Sequence, residues 1–178
     1  MIKTFITAIL CVAASAFYIQ AADDVKPGLM AEYFEFDTGI GDFPVIAADK
    51  KPTIRRVDKQ INVDNCDSNF NNTNLDKNFY VRWTGSVKID KEGKYKFFTE
   101  SDDGSRMYID GKLLVNNGGT HGMNKVAAEI DLKPGQHEIK IEFFQGDGGM
   151  GCKVTWQQPG KAEELMNENN LWHKADAE

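Results

Sequence analysis

Residues 101–112 read SDDGSRMYIDGK and join a candidate strand to the clearest candidate hairpin of the chain. The residues before this segment, 93–100, begin with a turn glycine and continue with aromatic and β-branched residues, a pattern typical of a strand. After it, Met107 and Ile109 alternate with polar residues, and Asp110-Gly111 is a two-residue turn that admits positive φ. The segment therefore predicts two adjacent carboxylates at the point where one strand ends and the next begins.

The strand pattern continues along most of the chain. Short runs of β-branched and aromatic residues, separated by Gly, Asp or Pro-Gly turns, lie at 29–36, 52–63, 79–89, 94–100, 105–109, 112–116, 125–132, 136–145 and 152–157. Many short strands at regular spacing predict an all-β fold, either an antiparallel β-sandwich or a jelly-roll-like barrel. The Asn- and Asp-rich residues 62–78 are interpreted as a surface loop, and 162–167 carry the only helical signal.

The first 21 residues have the pattern of an export signal. A basic residue precedes the apolar run 5–12, and small residues follow it. Cleavage between Ala16 and Ala22 would leave one domain, residues 22–178, and the run is too short to span a membrane. We therefore expect a secreted or extracytoplasmic protein without membrane insertion, in the periplasm or at the cell surface if the source is bacterial.

Charge and cysteine content narrow the partners and the redox state. With 21 Lys and Arg against 27 Asp and Glu, the chain has a net charge of −6, which argues against nucleic acid and anionic membranes. Cys66 and Cys152 are the only cysteines beyond the export segment, and an oxidising compartment permits a disulfide. We predict that the two are bridged, with two free thiols as the alternative.

The adjacent carboxylates Asp102 and Asp103 are the main candidates for a functional site. Neighbouring carboxylates repel one another unless a cation or several hydrogen-bond donors hold them together. Calcium is the natural candidate, because it prefers clustered oxygen ligands. The alternative is that Asp-Asp-Gly only shapes the turn, since Asp tolerates the left-handed region and bonds its own backbone.

No pattern in the sequence indicates an enzyme. The three histidines share no zinc-site spacing, and nucleophile or phosphate-binding motifs are missing. Adjacent carboxylates cannot readily flank a glycosidic bond from both faces. Asp64, Asp67 and Asn69 lack the spacing of an EF-hand loop and are interpreted as solvated, and Asn71 begins a glycosylation sequon that matters only in a eukaryote.

The chain resembles the protective-antigen fourteen-kilodalton domain family, the module shared by anthrax protective antigen, yeast flocculins and adhesins, and many bacterial surface proteins and glycosidases. The signature lies in residues 101–112, and further motifs follow the family's order at 28–34, 79–85, 117–122, 132–135 and 154–156. The likeness covers about residues 28 to 173. It implies an antiparallel β-sandwich with binding loops at one end.

The resemblance also implies a site. In lectin members of the family the matching Asp pair, joined by a cis peptide, holds a calcium ion that binds sugar hydroxyls, which assigns Asp102 and Asp103 as calcium and carbohydrate ligands. The lectins add an Asn at a position that falls near Gln145 here, a longer residue, so the resemblance makes Gln145 a candidate carbohydrate ligand. Asp147 is the candidate for an additional metal and carbohydrate ligand. Glycines and Met150 stand where lectin members place an aromatic residue against the sugar ring.

Taken together, these patterns predict an exported, non-catalytic module that binds a glycan or polysaccharide with calcium as cofactor. A cell-surface protein or a glycosidase is the expected companion. The alternative, from a different class, is a structural or adhesive protein-binding module with neither a metal nor a sugar site.

Overall fold

The computed structural model of the chain describes residues 24–175, so the export signal predicted for residues 1–21 lies outside the described part. The strands in chain order are β1 (Val25–Pro27), β2 (Leu29–Glu35), β3 (Ile54–Asp58), β4 (Asn62–Cys66), β5 (Phe79–Ile89), β6 (Gly93–Asp102), β7 (Ser105–Ile109), β8 (Lys112–Asn117), β9 (Asn124–Leu132), β10 (Gly135–Gln145), β11 (Met150–Gln157), β12 (Glu163–Leu165) and β13 (Leu171–Lys174). One short 3-10 turn, Phe70–Asn72, interrupts them. Among residues 24–175 no helix is long and apolar enough to cross a membrane.

The strands form two antiparallel sheets, which confirms the predicted all-β sandwich. The larger sheet has the order β1-β13-β5-β10-β7-β8, with β2 and β3 attached beside β5, and the smaller has the order β12-β11-β6-β9, with β4 attached to β11. Because β10 occupies one edge of β5 over its whole length, β2 and β13 share the other edge in succession. β4 and β12 share one edge of β11 in the same way.

The core lies between the two sheets and is rich in aromatic side chains. Inward positions of β5 contribute Val81 and Trp83, those of β6 contribute Tyr95 and Phe97, and that of β10 contributes Phe143, all with at most 1% exposure. Alternate residues of each strand point inward because a strand has a period of two. Removing one such ring costs about 3–5 kcal/mol, so the core forms a rigid base for the loops at the ends of the strands.

A buried carboxylate, Asp58, anchors the Asn-rich loop to the larger sheet. It accepts hydrogen bonds from Tyr33 Oη at 2.5 Å, Trp83 Nε1 at 2.9 Å and Arg56 Nε at 2.8 Å. Asn71 Nδ2 completes the network, 2.8 Å from Tyr33 Oη and 3.1 Å from Asp58 Oδ2. Burial and the charge of Asp58 raise the pKa of Tyr33. The side-chain amide of Asn71, the first residue of the sequon, is therefore already used in hydrogen bonds within the protein.

Two segments differ from the sequence interpretation. Part of 62–78 forms β4, and the segment expected to be helical contains β12 instead. Both are edge strands, whose outward side chains are polar, so their composition resembles that of a loop. The rest of the Asn-rich segment is a loop in which five asparagines adopt positive φ, a conformation that Asn tolerates better than most residues: Asn69, Asn71, Asn72, Asn74 and Asn78.

Cys66 and Cys152 are free thiols in the structure, contrary to the predicted bridge. The pairing of β4 with β11 explains why. Cys66 lies opposite Met150 and Cys152 opposite Val63, with an irregularity between the two positions, so the cysteines do not face each other. Cys152 is fully buried, and Cys66 Sγ lies 3.5 Å from the carbonyl oxygen of Met150. Burial raises the pKa of both thiols.

Candidate functional site

The two adjacent carboxylates lie at one end of the sandwich, in the short connection between β6 and β7. β6 ends at Asp102, β7 begins at Ser105, and the peptide bond between Asp102 and Asp103 is cis. Hydrogen bonds join this turn to the connection between β8 and β9 and to the connection between β10 and β11. Three connections from distant parts of the sequence therefore converge on the carboxylate pair.

Asp103 is the residue that holds these connections together. Its side chain is 4% exposed, Oδ1 accepts the backbone N–H of His121 at 3.0 Å, and Oδ2 accepts the backbone N–H of Gly146 at 2.9 Å. Carboxylate oxygens have about four acceptor positions, so two backbone donors leave capacity for a further partner. Asp103 thus fixes the loops and still offers lone pairs to a cation.

The side chain of Gln145 holds the turn between β6 and β7 through hydrogen bonds to the backbone. Its Oε1 accepts the backbone N–H of Asp103 at 3.0 Å, and its Nε2 donates to the carbonyl oxygen of Gly149 at 3.0 Å. The side chain has no exposed surface. Sequence reasoning assigned Gln145 to direct sugar contact, whereas the structure places it where it fixes the shape of the turn and of the loop between β10 and β11.

Asp102 is the half-buried and more accessible member of the pair. Among residues 24–175 no hydrogen bond or ion pair engages its carboxylate, while Asp103 lies beside it in sequence. Burial and the charge of Asp103 raise the pKa of Asp102, and His121 opposes this shift. Two carboxylates are thus held together with too little positive charge near Asp102 to offset their repulsion, the situation that a bound cation relieves.

Asn65, near the end of β4, borders the candidate site, and sequence reasoning missed it. An ideal Cβ on Gly149 would lie 3.0 Å from Asn65 Oδ1 and 3.3 Å from Asp102 Oδ2, so both side chains border the same small space. The pairing of β4 with β11 brings Asn65 close to Asp102, and no motif in the sequence predicts that pairing. The amide oxygen of Asn65 is a neutral oxygen of the kind that calcium uses, and it lies on the same side of Gly149 as the Asp102 carboxylate.

Asp147 is not joined to the carboxylate pair by any hydrogen bond that the described residues make. It is exposed, and its Oδ1 accepts the backbone N–H of Gly148 at 2.9 Å, within its own loop. The structure therefore gives Asp147 a role in capping the loop between β10 and β11. Its predicted role as a metal ligand stays a prediction.

The available oxygens fit a calcium ion better than a transition metal. Within the described chain no group of three or more His, Cys, Asp and Glu side chains could hold a metal, so a cation here would depend on two carboxylates and neutral oxygens. The carbonyl oxygen of Ile40 lies 2.8 Å from an ideal Cβ on Gly146, and Asp103 Oδ2 lies 3.4 Å from the same point. Calcium takes six to eight oxygens, including carbonyl and amide oxygens, and tolerates irregular geometry.

Comparison with known proteins places the chain in a larger context. The PA14 domain family matches residues 25–170. The anti-sigma-I factor RsgI3 of Acetivibrio thermocellus is 27% identical over 118 residues, which are 66% of this chain and 18% of that protein. The chain therefore spans less than a fifth of the length of this curated relative.

Two solved structures share the fold at low sequence identity. The PA14 sugar-binding domain from an RTX adhesin superposes with a TM-score of 0.73 at 18% identity, over 83% of this chain and 99% of that one. The epithelial adhesin 6 A domain from Candida glabrata, solved with Galb1-3GlcNAc, superposes with a TM-score of 0.63 at 13% identity, over 86% of this chain and 89% of that one.

Proposed function

The chain belongs to the PA14 domain family, and from this premise we propose that it is a non-catalytic carbohydrate-binding module that uses calcium at Asp102 and Asp103. One observation carries the proposal. Asp102 has no hydrogen-bond or ion-pair partner among the described residues, beside a second carboxylate that two loop amides hold in place. Such a pair is unfavourable alone and favourable around a cation.

The protein's own residues divide the work of this site. Asp103 fixes the loops, Gln145 fixes the turn, and Asp102 and Asn65 present oxygens on the side that is open to a ligand. When bound, calcium would supply open coordination positions for two neighbouring sugar hydroxyls. Hydroxyl pairs of suitable geometry are common to many sugars, so loop residues around the ion would set the choice among them.

The relatives support the sugar class. The RTX adhesin domain is described as sugar-binding, and the Candida glabrata adhesin domain was solved with a disaccharide. In keeping with these relatives and with the export signal expected at the N-terminus, we place this chain outside the cytoplasm. There it would engage a glycan or polysaccharide, beside a cell-surface protein or a glycosidase.

The test is a glycan array probed with the purified protein in calcium and in chelator. We expect retention on some glycans in calcium, loss of that retention in chelator, and the same loss for Asp102→Asn in calcium. The matched control is Asp131→Asn, because Asp131 is exposed and lies opposite Lys94 in the strand register, at the other end of β6 from Asp102. Retention that is equal in calcium and chelator would refute the role of calcium, and no retention on any glycan would favour the protein-binding alternative.

A further inference from the structure

The outer face of the larger sheet has a groove of about 450 Å³, well away from the carboxylate pair. Its lining includes Met30, Ser86, Gln136, Glu138 and Trp172. Ligand pockets for small molecules range from about 300 to 1,000 Å³ and combine apolar surface with a few polar groups. The groove meets both conditions, and the calcium site has no part in it.

A change of strand partner creates the groove. β2 pairs with β5 as far as Thr84, and β13 takes over the same edge at Ser86. Gly85 lies between the two, where an ideal Cβ would be 2.2 Å from the carbonyl oxygen of Trp172. Only glycine allows β13 to approach this closely, and the junction leaves a depression beside Met30 on the outer face.

Strand register aligns three side chains across the groove. Trp172 pairs with Ser86 and Ser86 pairs with Glu138, so the indole, the hydroxyl and the carboxylate lie in one row across the sheet. Leu171, next to Trp172, is in the core, which directs the indole to the outer face. Neighbouring strands are about 4.8 Å apart, so the row spans roughly 10 Å, the length of a disaccharide.

Polar groups in the groove have unused hydrogen-bonding capacity. Gln136 Oε1 accepts the hydroxyl of Ser86, which leaves the Gln136 amide N–H groups without a partner among residues 24–175. In the same part of the chain no hydrogen bond or ion pair engages the carboxylate of Glu138. The indole N–H of Trp172 is shielded from solvent and has no hydrogen-bond partner in the described part of the chain, so the indole offers its ring surface and not its N–H.

We propose that this groove is a second glycan-binding site, one that takes a neutral saccharide without calcium. The ring of Trp172 would pack against the apolar face of a sugar, while Glu138 would accept and Gln136 would donate hydrogen bonds to its hydroxyls. The groove is lined by one carboxylate, Glu138, and one ammonium group, Lys174, so opposite charges are balanced there and a neutral sugar suits it. A second copy of the chain or another polypeptide is a less suitable occupant, because a stable protein interface buries about 800 Å² on each partner.

The two sites would act on one polysaccharide. Phe79, at the start of β5, pairs with Gln145 beneath the carboxylate pair, and Thr84 to Ser86 lie five to seven residues further along the strand. At about 3.3 Å per residue, the separation is roughly 16–23 Å. Two linked sites raise the retention of a module on a long glycan without new contacts at either site.

The test measures the accessibility of Trp172 in chelator. The sequence has three tryptophans, and Trp83 and Trp156 are 0% and 2% exposed, so acrylamide quenching reports mainly on Trp172. Neutral hexasaccharides of cellulose, agarose and chitin are the probes. We expect at least one of them to protect Trp172 saturably in EDTA, and equally in the Asp102→Asn variant.

Titration calorimetry with the protecting hexasaccharide then assigns the groove. Glu138→Gln should weaken binding about tenfold, because a hydrogen bond to a charged group is replaced by one to a neutral amide. The matched control Glu129→Gln, on an exposed position of β9, should bind normally. Thermal melts of both variants check that they fold.

Several results would overturn the proposal. If no probe protects Trp172 in EDTA, the site is excluded. Binding that is unchanged in Glu138→Gln would also exclude it. Protection that appears with rising protein concentration alone would assign the face to self-association. Binding that is abolished by chelator or by Asp102→Asn would mean that only the calcium site exists. Binding in EDTA, together with no calcium-dependent glycan retention, would refute the proposed function and leave this inference standing.

Discussion

The two carboxylates of the site should respond differently to the same substitution when calcium is removed. Asp103→Asn keeps one oxygen for one of the two backbone N–H groups, from His121 and Gly146, but turns an amide donor toward the other. A buried donor without a partner costs about 1–3 kcal/mol. Asp102→Asn removes a carboxylate that has no hydrogen-bond or ion-pair partner among the described residues, so it should be neutral or slightly stabilising.

The assay is urea unfolding of the two variants and the wild type at neutral pH in EDTA. For a chain of 150–250 residues, a loss of 1–3 kcal/mol corresponds to roughly 2–12 °C in melting temperature, which a parallel thermal scan would detect. The control is Asp131→Asn, which should match the wild type. Equal stability of Asp103→Asn and wild type in EDTA would refute the assignment of Asp103 as the residue that holds the loops.

Three further predictions concern other parts of the chain. Burial opposes protonation of His137, but its hydrogen bonds to Asp110 and to the Lys133 carbonyl oxygen prevail and raise the pKa of His137. The stabilisation of the folded state by protonated His137 is therefore fully present below the unfolded pKa of about 6.5 and is lost as pH rises through the folded pKa. His137→Gln should flatten the dependence of urea midpoint on pH between 6 and 8, and an unchanged slope would contradict this. Without reductant, Cys66 and Cys152 should both titrate as thiols in denaturant, and a bridged pair would contradict the structure. In the native state Cys66 should react slowly and the buried Cys152 should not react. Asn65→Ala should lower calcium affinity while leaving the free energy of unfolding in EDTA within about 0.5 kcal/mol of the wild type, and equal calcium affinity would exclude Asn65 from the site.

Local backbone signals made much of the fold predictable from the sequence. The hairpin after the carboxylate pair is where the sequence predicted it: Asp110 and Gly111 have φ of 49° and 74°, and β7 has the bounds that the pattern indicates. Positive φ and strand alternation depend on a few neighbouring residues, so a short stretch is enough to show them. The position of Asp102 and Asp103 at a strand end follows from the same local information.

The parts that could not be predicted depend on pairing between distant segments. β4 and β12 are strands because β11 offers them an edge, while their own composition favours a loop or a helix. Asn65 reaches the site only through that pairing. Gln145 resembled an exposed ligand in sequence and is buried in the structure, because its two hydrogen bonds go to backbone groups of the turn and of the next loop.

The most direct test of the central claim is calorimetric titration of calcium into the metal-free protein. We predict saturable binding at one site per chain, loss of that binding in Asp102→Asn, and full binding in Asp131→Asn. Because a ligand that binds only the folded state stabilises it, the wild type should also gain about 2.7 kcal/mol at a calcium concentration 100 times the Kd. No heat of binding and no change in stability at millimolar calcium would contradict the account, and Asp102 and Asp103 would then be residues that shape the turn.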